Sequence, residues 1–196
     1  IDPLGFVQTF TYDAANNLLT EKDALNQVTT YSYDANHNLA QFTDALNNVT
    51  QFSYDGAGQL ITLTDANNHT TTYGYDAFGH QTTVTDALNG VTTWTFDNVG
   101  RQLSETDAEN RMTTYTYNAA NHILTMTDPL SGVATYAYDN VGNRVSVTDP
   151  LNGTTTFTYN AKDLLATTTD PLNNATTFGY DENGHQTSVT NALGHT

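Results

Sequence analysis

The sequence predicts an all-β fold: tandem 21-residue β-hairpins joined into one continuous, coiled antiparallel sheet. Three observations predict it. Asp2, Asp23, Asp44, Asp65, Asp86, Asp107, Asp128, Asp149 and Asp170 stand 21 residues apart, without insertion or deletion. Two turn signals divide every repeat. Between them lie short runs in which Thr alternates with aromatic or β-branched residues, the composition of strands. A strict period through a whole chain marks stacked units that bury one another, and a globular enzyme domain has no reason to keep one. Residues 1–196 therefore read as a single array of nine full repeats, with a partial tenth opening at Asn191. Ile1 falls at the last position of a repeat, so the chain reads as a window from a longer array.

Residues 86–106 show the elements in order. The opening Asp-Ala-Leu-Asn-Gly becomes Asp-Pro-Leu at Asp128 and Asp149. Pro presets the second place of a tight turn, and Asp caps the turn it starts. A first β-run follows, with aromatics two apart (Trp94 and Phe96 here) and hence on one face. The second turn is Asp97 to Gly100, repeated at Asp55–Gly58, Asp76–Gly79, Asp139–Gly142 and Asp181–Gly184. Asp at the first place and Gly at the fourth predict a type I turn followed by a left-handed residue. Where Gly is absent, Asn16, His37, Asn121 and Asp163 stand instead, and Asn, Asp and His tolerate that backbone best. A second β-run closes the hairpin. Pairing Asp97 with Arg101 would set Phe96 opposite Gln102 and Trp94 opposite Ser104, with the aromatic face the packed one.

Hydrophobic residues make up 37% of the chain, and 21 acidic residues against five basic ones give a net charge of −16. That balance opposes nucleic-acid binding and anionic membrane surfaces, which need Lys and Arg patches. No apolar run is long enough to span a bilayer. Without Cys there is neither disulfide nor thiol chemistry. No Ser-His-Asp set, phosphate loop or zinc spacing occurs, so the expectation is a non-enzymatic protein without a cofactor.

The repeats resemble a known family. Tyr33-Asp34, Tyr54-Asp55, Tyr75-Asp76, Tyr138-Asp139 and Tyr180-Asp181 stand at the place of its Tyr-Asp dipeptide, followed by Gly58, Gly79, Gly142 and Gly184. Phe96-Asp97 with Gly100 fills the same place with Phe for Tyr, and Asn118 and Asn160 replace the Asp. The whole chain is thus similar to YD-repeat, or RHS-repeat, proteins: bacterial toxin shells, wall-associated proteins and teneurin-like adhesion proteins. The resemblance implies the wall of a hollow shell or tube that is secreted or at the cell surface. It implies neighbouring repeats of the same or identical chains as partners, and an enclosed toxin as cargo. A fibre or adhesion module built from the same repeats is the alternative.

Two residue types invite a metal reading. The turn Asp residues form rows, and Asp86, Asp107, Asp128 and Asp149 would be the Ca²⁺ candidates, since Ca²⁺ takes six to eight oxygen ligands. Capping by each Asp of its own turn explains the same residues more simply. His80, His122 and His185 share one repeat position, two or three repeats apart, too far to share an ion.

Overall fold

Alternating Thr and aromatic residues extend the chain, and an Asx residue stops each run. The computed structural model describes residues 7–196, so Asp2 lies outside the described residues. They form 18 strands and turns, without a helix, in one unclosed antiparallel sheet. Pairing follows chain order: Val28–Tyr33 pairs with Leu39–Thr43, which pairs in turn with Val49–Tyr54. Two compact units divide the chain, Ile1–Trp94 with Asp107–Glu109, and Thr95–Thr106 with Asn110–Thr196. Each has the same local construction.

One turn geometry serves both edges of the sheet. In the hairpin turn, Asp34 N donates to Asn38 O at 2.9 Å and His37 N to Asp34 O at 3.1 Å. In the turn between repeats, Asp23 N donates to Gln27 O at 2.9 Å and Asn26 N to Asp23 O at 3.0 Å. The fourth residue is left-handed in both. The substitutes for Gly adopt the expected backbone, with φ of 69° at Asn16, 67° at His37, 66° at Asn121 and 57° at Asp163. The same conformation at Asn26, Asn47 and Asn89 (φ 64°, 66° and 66°) shows that the Asn of Asp-Ala-Leu-Asn fills the Gly place of the other turn.

The register differs from the expected one beyond the first pair. In each hairpin the residue before the turn pairs as anticipated, as Tyr33 does with Leu39, and then the ladder shifts by one. Ser32 pairs with Gln41 and Tyr31 with Phe42, leaving Ala40 as the bulge residue. In the Trp94 hairpin, Thr95 Oγ1 accordingly lies 2.6 Å from Ser104 Oγ, so Ser104 opposes Thr95 and not Trp94. The turns between repeats hold the same left-handed residue without a shift, as Thr43 with Val49 and Phe42 with Thr50 show, so the bulge belongs to the second strand of the hairpin and not to the turn geometry.

This shift sorts the side chains into two unlike faces. On one, Tyr31 pairs with Phe42, and Phe42 with Thr50. Rings of neighbouring hairpins then meet through the second strand, with Phe42 at 6.5 Å from Tyr31 and 6.3 Å from Phe52. In the second unit the equivalent rows are Tyr115–Met126–Ala134 and Tyr136–Val147–Thr155. The other face is a hydroxyl ladder. Thr116, Thr125, Thr135, Thr148 and Thr154 follow one another across five strands. Thr116 and Thr125 hydroxyls meet at 2.7 Å, Thr148 and Thr154 at 2.9 Å. The sheet is one layer thick, and among the described residues Ala134, at 6% exposure, is the only buried apolar residue. The aromatic face is half-buried by its own neighbours rather than packed under a second layer.

Cohesion between hairpins comes from a second ladder, on the tyrosines before the turn. The hydroxyls of Tyr54, Tyr75, Tyr117 and Tyr180 donate to the carbonyls of Leu39, Leu60, Gln102 and Leu165 in the preceding hairpin, at 3.0, 2.9, 2.7 and 2.9 Å. Burial raises Tyr54 and Tyr117 above the usual phenol value of 10.0, with the Asp34 charge adding to it at Tyr54. The donor proton therefore stays in place at ordinary pH. Phe96 has no hydroxyl to donate.

Two substitutions test this construction. Gly100→Val forces a β-branched side chain onto φ 83° and should cost about 1 kcal/mol or more. An unchanged melting temperature would contradict the turn assignment. Tyr117→Phe removes one neutral hydrogen bond and should cost about 1 kcal/mol in thermal unfolding. A loss too small to measure would show that the phenol ladder carries no cohesion.

Candidate functional site: turn rows and sheet faces

The Asp that opens each turn uses one oxygen twice. Asp86 Oδ1 accepts the amides of Leu88 and Gly90, both at 2.8 Å. Asp128 accepts those of Leu130 and Gly132 at 2.9 and 2.7 Å, and Asp149 those of Leu151 and Gly153, both at 2.8 Å. Asp107 Oδ1 takes the amide of Glu109 at 3.0 Å. The four residues considered for Ca²⁺ thus cap turns. Among the described residues no group of three or more His, Cys, Asp or Glu side chains is gathered closely enough to hold a metal ion.

The hairpin-turn residues do the same work. Asp34, Asp55, Asp76, Asp97, Asp139 and Asp181 each accept the amides two and four residues on, at 2.8 to 3.0 Å. Gly58, Gly79, Gly100, Gly142 and Gly184 hold the left-handed place, at φ 82° to 98°. Asn118 makes the cap without charge, accepting from Ala120 and His122, both at 2.9 Å. Of the Tyr-Asp tyrosines, Tyr54, Tyr75 and Tyr180 join the phenol ladder. Tyr138 instead carries the His122 ring stacked at 4.6 Å. Tyr33 pairs with Leu39 across the hairpin. Trp94 is half-buried on its strand.

In four hairpin turns the fifth position links the turn to the next along the edge. Asn17 Nδ2 reaches His37 Nδ1 at 2.9 Å, Gln59 Nε2 the carbonyl of Gly79 at 3.3 Å, and Asn143 Nδ2 Asp163 Oδ1 at 3.1 Å. Arg101 binds back to Asp97 at 2.6 Å and forward to Asn118 O and Asn121 Oδ1 at 3.1 and 3.0 Å, with its guanidinium 4.9 Å from the Tyr117 ring. His80 and His185 point Nδ1 at the carboxylates of Asp76 and Asp181, both at 2.9 Å. These histidines flank turns.

Capping sets the acidity of the caps. Asp34, Asp44 and Asp170 are held below the usual carboxyl value of 3.8, first by the side-chain amides of Asn38, Asn48 and Asn174 and then by backbone amides. In Asp97 the backbone amide of Arg101 leads, and in Asp76 and Asp181 the His partner does. None of these groups offers a general acid or base poised near neutrality.

Two features escaped the sequence reading. The hydroxyl ladder was visible as Thr-x-Thr spacing, yet its continuity depends on the bulge. The tips of the turns between repeats carry the other: Leu25, Leu46 and Leu88 in the first unit are 72%, 78% and 89% exposed, and Leu130, Leu151, Leu172 and Leu193 in the second 91%, 89%, 81% and 81%.

Against known families, the RHS Repeat matches in eight overlapping stretches: residues 12–45, 33–70, 54–91, 75–112, 96–133, 117–154, 138–173 and 159–196. The chain belongs to the RHS repeat family. No curated protein matches it by sequence. Among solved structures it resembles a chain in the Photorhabdus luminescens Tc holotoxin pore, at 17% identity and a TM-score of 0.61. It also resembles chains in crystal structures of TcdB2-TccC3-Cdc42 and TcdB2-TccC3, each at 16% identity, with TM-scores of 0.59 and 0.58. The matches cover 95% of this RHS repeat chain and only 13% to 14% of those chains. At this identity the likeness establishes the fold, and the RHS repeat chain is a structural repeat scaffold.

Cap acidity makes stability depend on pH in one direction. A carboxyl lowered by folding stabilises the native state above its unfolded value, near 3.8, and that stabilisation is lost as pH falls through the lowered native values. The melting temperature should therefore drop on acidification below about pH 4. Asp34→Asn, Asp44→Asn and Asp170→Asn together should flatten that drop, because Asn caps without titrating. An acid profile identical to the parent's would contradict the capping account.

Proposed function

We propose that this RHS repeat chain is a stretch of wall: a non-catalytic, one-layer sheet that helps to enclose a second polypeptide segment, such as a toxin. The observation that carries the proposal is the single layer with two unlike faces, one lined by rings and one by threonine hydroxyls. Among the described residues almost no side chain is completely buried, which supports a role for the surfaces of the sheet. A half-exposed aromatic face is large for a free surface and suits a wall with contents on one side. The likeness to chains of Tc toxin complexes supports the same reading. A secreted or cell-surface location goes with it, as do neighbouring repeats of the same or identical chains as partners. The repeats from Asp2 onward act in this reading as one array.

Uniform repeat length favours a second reading, a fibre or adhesion module, because a filament needs identical units and a closed body needs layers that differ. Electron microscopy of the protein purified from its native source separates the two. Closed hollow particles with density inside are the expected result. Uniform filaments, or hollow particles that are always empty, would overturn the container reading.

A further inference from the structure

In the second unit, three successive turns between repeats carry Pro-Leu at their tips: Pro129-Leu130, Pro150-Leu151 and Pro171-Leu172, with Leu193 at the same place of the next turn. The leucines are 81% to 91% exposed, and the prolines are exposed beside them. Their setting is rigid. A Cβ added to Gly132 would meet Pro150 Cβ at 2.9 Å, and one added to Gly153 would meet Pro171 Cγ at 3.2 Å, so neighbouring turns already touch. Asp128 and Asp149 cap these same turns. The hairpin turns of this unit place Val99, Ala120, Val141, Lys162 and Asn183 at the corresponding position, so the unbroken apolar strip belongs to one edge alone. Scattered exposed apolar residues need no explanation, but a contiguous ordered strip does.

We propose that this Pro-Leu edge is an interface with a second copy of the chain, turn tips against turn tips. Period and area support that occupant. Leucines two strands apart recur about every 10 Å, and a second copy presents the same beat, so its leucines enter the gaps along the whole strip. An irregular partner would meet one or two. At roughly 100 Å² of apolar surface for each side chain, the four leucines and three prolines of two facing copies bury about 1,400 Å². That lies inside the roughly 1,200–2,000 Å² of specific interfaces and at their modest end. Rigid turns lose little freedom on docking, which favours association despite the modest area. The net charge of −16 on each copy opposes it, and salt screens that repulsion. The contact is therefore a weak dimer that tightens as salt rises, unlike a polar or ion-paired contact. It is independent of whether anything is enclosed.

Sedimentation velocity of the purified chain from about 0.05 to 1 M salt tests the proposal. Expected is a shift from the 21.4 kDa monomer toward twice that mass as salt increases. L130S/L151S/L172S should weaken association at least tenfold with an unchanged circular-dichroism melt, because these side chains support nothing within the chain. V189D places a charge on the outermost strand, Gln186–Thr190, and should leave the dimer intact. A monomer at every salt concentration would overturn the proposal. So would association that survives the serine variant, or that V189D abolishes, since strand-edge pairing would then be the contact.

Discussion

One acceptor oxygen takes two backbone amides in turn after turn, and the rest of the fold is arranged around that pair of bonds. A five-residue connection between antiparallel strands leaves inward-pointing amides that no strand partner reaches. The Oδ1 of the opening Asp or Asn satisfies those two and four residues further on, as Asp97 does for Val99 and Arg101. The chain then needs a left-handed residue at the fourth place, and after the hairpin turns alone a bulge follows in the next strand. Because the bulge falls at the same place in every described hairpin, the rings stay on one face and the threonines on the other. A sheet with so little buried area depends on such local closure, since hydrophobic burial alone would supply little.

Neighbouring hairpins are then joined by groups that need not be apolar. The phenol ladder, the hydroxyl ladder and the links from the fifth turn position each run from one hairpin to the next. They are exposed or half-exposed, individually modest, and repeated. Stability in such a chain is a sum over nearest neighbours, as in other linear repeats. This explains the tolerance of single departures: Phe96 lacks the hydroxyl, Asn118 lacks the charge, and Glu21 stands opposite Phe10 on the aromatic face. Each weakens or alters one junction and leaves the others untouched.

The spacing of Asp residues, the two turns in each repeat and the left-handed residues at Asn16, His37, Asn121 and Asp163 were legible from sequence, because each rests on a local residue preference. The common geometry of the two turns was half-hidden. Asn26 and Asn47 do the work of Gly in the other turn, but Asn also suits a cap, so its identity alone does not distinguish the roles. The register was legible for one pair and not beyond it, because a bulge residue such as Ala40 or Ile61 carries no signature. The Ca²⁺ candidates and the caps are the same residues, and composition cannot separate them; the structure shows Asp86, Asp128 and Asp149 each taking two amides as caps. The Pro-Leu strip was present as a motif from the start, and only its exposure gave it meaning.

Residue-resolved hydrogen exchange tests the central claim most directly. If one Asx oxygen closes each turn, the amides two and four residues after it, such as Leu130 and Gly132, or Ala120 and His122 at an uncharged cap, should exchange slowly at neutral pH, as slowly as their flanking strands. The neighbouring amide of Ala119, which has no cap contact in the turn, provides the comparison. Fast exchange at the capped positions, with protection confined to the strands, would mean that the ladders hold the turns closed and that the caps are incidental.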